Sequence, residues 1–263
     1  MAGREAFELF GQVPDLYDRS RPRYPVALFN RLVEVASLGD GDPVLEVGTG
    51  TGIATRELIQ RGLRVTGLEP SPEMAAVAQV RLGPTGQLRI VTSTFEDWVP
   101  GHVGFKAVIA AQAWHWVDQE VRYRKAAGVL EEGGWLALIW NRPVGGDGEV
   151  RSGLDAVYAR LAPELDGIPP GELDLDRREE IAASGVFQEP RLECFEFEVR
   201  YGARAYAELM ATQSDHRRLP ASRRNQLLGA IEEEINSTGG SYGVTWEARL
   251  YLAQPVGSPR GFP

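Results

Sequence analysis

Val44-Leu45-Glu46-Val47-Gly48-Thr49-Gly50-Thr51-Gly52 is the stretch that decides the fold. Val44, Leu45 and Val47 make the short apolar run that a strand buried on both faces needs. Three glycines at alternate positions follow, and each permits a positive φ and a close backbone approach. From Ile53 to Arg61 the apolar residues Ala54, Leu58 and Ile59 fall at near-helical spacing. The reading is strand, glycine turn, helix, with the unpaired amides of the helix start aimed into the turn. That arrangement cradles a ligand. A phosphate loop would require Lys followed by Ser or Thr after its last glycine, and Ile53 and Ala54 stand there instead. A dinucleotide fold would require G-x-G-x-x-G, whereas here the third glycine arrives one residue early. A structural turn that binds nothing is the bland alternative, since such turns recur in α/β folds.

With its acidic residue two positions before the first glycine, Glu46-Val47-Gly48-Thr49-Gly50-Thr51-Gly52 resembles motif I of the class I S-adenosylmethionine-dependent methyltransferases. The resemblance implies an α/β fold: a doubly wound, mostly parallel sheet in the order 3-2-1-4-5-7-6, carrying a helical cap. It also implies S-adenosyl-L-methionine as cofactor, with Glu46, Gly48, Thr49, Gly50 and Gly52 around its methionine moiety.

Working outward, the residues themselves support a wound sheet. Arg64 to Glu69, Leu88 to Thr92, Lys106 to Ala110 and Trp135 to Trp140 read as further strands alternating with helices. Ser71 before Pro72 and Asp118 before its helix are N-cap signals. Right-handed crossovers then put helices on both faces, and ligands at the carboxyl ends of the strands. Glu69 ends the second strand seventeen residues after Gly52, where a carboxylate can accept two hydrogen bonds from a ribose diol. Nicotinamide cofactors use the same placement, so an NAD-dependent oxidoreductase is the enzymatic alternative. Against it stands the lack of a recognisable Tyr-x-x-x-Lys proton relay.

The resemblance carries over to Pro70 and Met74 at the next helix start, and to Thr94-Phe95-Glu96 after the third strand, which is similar to the family's adenine-reading segment. This chain has Thr94 where the family commonly has a carboxylate. After the fourth strand, Ala111-Gln112-Ala113-Trp114-His115-Trp116 resembles the family's Q-A-x-H-W variant, which implies Gln112 and Ala113 beside the cofactor. A hydroxyl acceptor would benefit from a base, and an unperturbed histidine, with its pKa of about 6.5, suits that role at His115. The other reading of His115 is a histidine bonded to a backbone carbonyl, with Trp114 and Trp116 in the core. His102 and His216 have weaker claims.

In the N-terminal arm, Tyr17 and Arg21 match a Y-x-x-x-R-P-x-Y-P entry in a subgroup resembling trans-aconitate methyltransferases. The resemblance implies an arm folded over the cofactor, with Tyr17 and Arg21 near its carboxylate. An Arg fork suits a carboxylate, although both residues could simply pin the arm. Three segments are expected: residues 1–140 as cofactor-binding core with the arm, 141–189 as a cap segment, and 190–263 as the final two strands with a helical cap insert near 201–243. Pro143 to Gly148 and Gly167 to Gly171 read as breaks, and Leu192 to Val199 alternates as a strand solvated on one face. His216-Arg217-Arg218 with Arg223-Arg224 reads as a solvated helix surface, with a clamp on an acidic acceptor as the alternative.

The totals are consistent with that picture. The chain has 263 residues, ordinary hydrophobic and charged fractions of 43% and 25%, and a formal net charge of -9 with pI near 5.0. A general nucleic-acid surface needs clustered basic residues, so the expected partner is a small molecule and not nucleic acid. No apolar run approaches the ~20 residues of a bilayer span, so no membrane association is expected. Met1-Ala2-Gly3-Arg4-Glu5 starts no apolar signal segment. The single cysteine, Cys194, fits a reducing cytoplasm and is read as a small buried hydrophobe; no metal site is expected. Taken together, the expectation is methyl transfer from S-adenosyl-L-methionine to a small-molecule acceptor, at oxygen. A methyltransferase-like protein that binds without turnover is the non-enzymatic alternative.

Overall fold

The computed structural model describes residues 11–101, 104–165 and 176–257. The N-terminal pentapeptide, His102 and the break at Gly167 to Gly171 lie outside them. Helices α1 (Pro14–Ser20) and α2 (Val26–Val35) lead into β1 (Pro43–Val47), α3 (Ile53–Ile59), β2 (Arg64–Leu68), α4 (Pro72–Leu82) and β3 (Leu88–Val91). Strand β4 (Phe105–Ala111) runs into a 3-10 turn at Trp114–Trp116, then α5 (Gln119–Val129) and β5 (Leu130–Gly146). Helices α6 (Gly148–Leu161) and α7 (Arg178–Ala183) precede β6 (Arg191–Gly202). Between β6 and β7 (Ser241–Ala253) lie α8 (Ala203–Ala211), α9 (Ser214–Arg218) and α10 (Ala221–Ser237).

The seven strands form one sheet in the order β3-β2-β1-β4-β5-β7-β6. Pairs among the first five strands are parallel, whereas β7 runs antiparallel to both β5 and β6. Successive side chains of a strand point to opposite faces, and the core divides accordingly. Val108 and Ala110 of β4 with Leu136, Leu138 and Trp140 of β5 pack on one face beside Phe95, Trp114 and Tyr123. Ala107, Ile109, Ala137 and Ile139 pack on the other against Leu28, Phe29 and Leu32 of α2 and Leu58 of α3. Each large apolar side chain so buried contributes roughly 1.5–3 kcal/mol. A separate apolar cluster ties α6, α8 and α10 to the outer halves of β6 and β7 through Leu154, Leu209, Leu227, Ile231, Tyr201 and Trp246.

Helix α4 starts as its sequence predicts: Ser71 Oγ accepts the Met74 N–H at 3.3 Å, with Pro72 at the first position. Asp118 caps α5 through the Glu120 N–H at 2.8 Å. One expectation is overturned. Pro143 to Gly146 is not a loop but the end of β5, with Pro143 opposite Trp246 and Gly146 opposite Val244 across a register shift. The last β4 partner of β5 is Ile139, so past that point this edge of β5 needs no N–H for a ladder. A proline is tolerated at such an edge and bulge. Cys194 is corrected as well: it is exposed on the outermost strand. No helix among the described residues is long and apolar enough to cross a membrane.

Candidate functional site

The glycine turn joins β1 to α3 at the carboxyl edge of the sheet, and its three glycines have φ of 76°, 58° and 86°. They differ in what a side chain would meet. A Cβ on Gly48 would lie 2.3 Å from Ala113 Cβ, and one on Gly52 2.8 Å from Leu82. These two glycines allow protein to pack on protein. A Cβ on Gly50 would approach only Met74 Cε, at 3.8 Å. The bare face of Gly50 therefore opens on space that the described residues do not fill.

Glu69 stands beside that space. Its carboxylate accepts the Gly50 N–H at 2.8 Å and the Ser71 N–H at 2.9 Å, one on each oxygen. Each oxygen keeps a second lone pair. Burial pushes Glu69 up to about 7 despite those two bonds. Glu46 lies deeper, where it accepts the Thr55 hydroxyl at 2.6 Å. Burial, opposed by that bond, pushes Glu46 up to about 8, and the neighbouring Glu69 adds to the rise. Thr49 and Thr51 are buried, and their hydroxyls have no partner among the described residues.

Phe95 packs between Trp98 and Trp114, with ring centroids 6.5 and 6.0 Å away. Thr94 closes the turn after β3 by accepting the Asp97 N–H at 3.0 Å. Glu96 is placed differently from its expected cofactor role. Its carboxylate accepts the Asp118 N–H at 2.7 Å, and its carbonyl accepts Lys125 Nζ at 2.9 Å, so it ties the loop after β3 to the start of α5.

At the tip of β4, Gln112 has the left-handed φ of 60°, uncommon outside glycine. Its Nε2 donates to the Asn141 carbonyl at 2.9 Å, which fixes the amide and leaves Oε1 buried without a partner among the described residues. Asn141 Oδ1 is in the same condition, and so is His115 Nδ1. Burial first, then the guanidiniums of Arg177 and Arg122, push His115 down to about 3. That corrects the expectation of an imidazole titrating in the physiological range: His115 is neutral there. Trp114 is core, as read, while Trp116 is half-buried against the His115 ring at 4.6 Å.

The arm brings Tyr17 and Arg21 together, with the guanidinium 4.7 Å from the ring centroid. Arg21 Nη2 donates to the Thr212 carbonyl at the end of α8 at 2.8 Å, so the arm is pinned to the cap. The basic run is mixed: Arg218 is exposed, as a solvated face requires, whereas His216 turns inward. His216 is buried between Asp215, at 2.7 Å from Nδ1, and the Tyr158 hydroxyl, at 2.8 Å from Nε2. Arg217 donates to Gln12, and Arg223 donates to the Leu161 carbonyl and Glu164.

Asn141, Arg122, Arg177 and Glu180 were missed by the sequence reading. Asn141 had a signal: like Glu69 and Gln112, it is the first polar residue after an apolar strand. The other three had none, because Arg122 meets the Arg177–Glu180 pair only across 58 residues of chain.

Residues 44–134, which run from β1 through the turn and the strand tips into β5, match the profile of the family described as methyltransferase domain. An uncharacterised methyltransferase of Mycobacterium tuberculosis is 39% identical over 132 residues, 50% of this chain and 51% of that one, so the chain spans about half the length of this relative. Among solved structures, a candidate type II methyltransferase from Anaeromyxobacter dehalogenans superposes with TM-score 0.64 at 22% identity, covering 92% of this chain and 99% of that one. A phosphoethanolamine N-methyltransferase of Haemonchus contortus, solved with S-adenosyl-L-methionine, superposes with TM-score 0.55 at 14% identity, over 94% of this chain and 57% of that one. Residues 44–134 thus resemble a methyltransferase domain, and the seven-stranded sheet has the Rossmann-like architecture of these solved methyltransferases.

Proposed function

We propose that this protein transfers a methyl group from S-adenosyl-L-methionine to a small-molecule acceptor, at oxygen. One observation carries the reading: of the three turn glycines, only Gly50 faces unfilled space, and Glu69 is held at its rim by two main-chain N–H groups. A side chain at position 50 would enter the volume that a ligand needs, whereas the other two glycines serve packing. The residues fit the cofactor. Glu69 offers its free lone pairs to a ribose diol, and Phe95 and Thr94 border the adenine position. Gly48, Thr49 and Gly52 shape the turn, with Pro70 and Met74 at the adjoining start of α4. Tyr17 and Arg21 cover the methionine end from the arm, and Gln112 and Ala113 close it from β4.

When bound, the cofactor supplies an activated sulfonium methyl. The chain then has to align the acceptor, and alignment alone is worth up to roughly 7–11 kcal/mol. Gln112 Oε1, Asn141 Oδ1 and His115 Nδ1 line the β4 and β5 tips as buried polar atoms without partners among the described residues. His115 stays neutral and gives a hydroxyl hydrogen a nitrogen to point at. Because two guanidiniums disfavour the imidazolium, its part is to orient the hydroxyl while the proton passes on to solvent.

Calorimetry with S-adenosylhomocysteine and NAD, followed by a panel of hydroxylated metabolites with S-adenosylmethionine, tests the reading. Binding of the sulfur ligand and a methylated product support it. Binding of NAD alone returns the oxidoreductase reading, and binding without any product returns the non-catalytic one.

A further inference from the structure

We propose that Arg122 and Glu180 are positioning residues for His115: the arginine grips the turn that carries the imidazole by its carbonyls, and the glutamate grips the arginine. The inference rests on His115 facing the acceptor.

His115 sits in the middle of the 3-10 turn, and its Nδ1 has no partner among the described residues. The turn itself therefore sets where the ring points. Arg122, on the first turn of α5 and only 2% exposed, donates from Nη1 to the Trp114 carbonyl at 3.1 Å and the Val117 carbonyl at 3.4 Å. Those carbonyls bracket His115 on both sides. Arg122 Nη2 donates to Glu180 Oε1 on α7, which also accepts the Tyr123 hydroxyl at 2.6 Å. Glu180 Oε2 takes Arg177 Nη1 at 2.8 Å, and the Arg177 guanidinium lies 5.2 Å from the Trp140 ring centroid.

An apolar side chain would fill the site of Arg122 without taking a cation out of water. What the guanidinium adds is a rigid fork of donors, able to reach two carbonyls and a carboxylate at once. Two consequences follow for His115. Its main chain is held at both ends, and the same cations oppose its protonation, with Arg177 the larger influence and Arg122 the smaller.

The test is read on the imidazole, so it stands or fails independently of which group the protein transfers. The chain has three histidines, and a His115→Ala spectrum assigns the resonance in protein labelled on the histidine rings. In wild type the His115 signal should show no titration between about pH 5 and 9. Arg122→Met should displace the His115 resonance, because the turn loses the donor that grips two of its carbonyls, with unchanged affinity for S-adenosylhomocysteine. A folded Arg122→Met protein with the wild-type resonance overturns the proposal. Should that variant not fold, Arg122→Lys and Glu180→Gln decide. Lysine keeps the charge but loses the fork, so a displaced resonance supports the proposal, and wild-type spectra in both variants overturn it. A separate absence of S-adenosylhomocysteine binding to wild type would sink the methyl-transfer reading and leave this result standing.

Discussion

At the tips of β1 and β2 the polar groups bond to near neighbours in the chain, whereas at the tips of β4 and β5 they do not. Glu69 takes N–H groups 19 residues back and 2 residues on, and Glu46 takes a hydroxyl 9 residues on. Gln112, by contrast, reaches 29 residues to the Asn141 carbonyl, and Arg122 reaches 58 residues to Glu180. The first side is built largely from main chain and is complete within one β-α-β unit. The second is built from side chains contributed by distant elements; both sides keep buried polar atoms without a partner among the described residues, the Thr49 and Thr51 hydroxyls on the first and Gln112 Oε1, Asn141 Oδ1 and His115 Nδ1 on the second. A crevice of this kind separates the holding of a constant donor from the fitting of a particular acceptor.

The comparison breaks most visibly at the glycines. Gly50→Val should lower S-adenosylhomocysteine affinity by about a hundredfold or more, because its side chain enters the ligand volume. Both positions carry a positive φ that strains valine, and Gly48→Val should lose more stability still, because its Cβ would also meet Ala113. If Gly50→Val binds as wild type does, the first side is packing only. Next in size, Glu69→Ala should weaken the cofactor by about 1–3 kcal/mol, since it removes a charge-assisted partner and strands two N–H donors. Calorimetry reads that difference directly.

On the second side, His115→Ala should lower turnover by about tenfold while sparing cofactor affinity, as expected for a contact made only to the acceptor. His115 should add no break to the pH–rate profile near pH 6.5, because it remains neutral throughout that range. A break there that His115→Ala removes would contradict the account of the acceptor side, whereas one that persists belongs to Glu69, held up at about 7.

The smallest effect is on stability. Burial holds Glu46 and Glu69 up at about 8 and about 7, against 4.5 for an unperturbed side chain. The folded chain binds these protons more tightly than the unfolded one, so the stabilisation is complete below about pH 4.5 and is lost as pH rises through 7 and 8. Thermal unfolding of the ligand-free protein should fall across that window, and Glu46→Gln should flatten the slope. Equal slopes in the two proteins would mean that Glu46 ionises freely.

The same contrast explains what could be read in advance. The strand order was implied by the family resemblance, whereas the Ser71 and Asp118 caps and the placement of Gly50 and Glu69 follow from local patterns: an apolar run, glycine spacing, a capping residue before a helix. What was misread depended on contacts between distant segments. Pro143 to Gly146 has the composition of a turn, and becomes strand only because β7 supplies a partner along its length. His216 sits among arginines in the chain, yet its ring is drawn inward by Tyr158 of another helix. His115 has an ordinary intrinsic basicity, and loses it first to burial and then to Arg177 and Arg122, an environment that only the folded chain assembles.

Titration of S-adenosylhomocysteine into wild type and Gly50→Val, side by side in a calorimeter, bears most directly on the whole account. Saturable binding to the wild type that vanishes in a variant still folded is the predicted result. No heat with the wild type, or equal binding by both proteins, would contradict it.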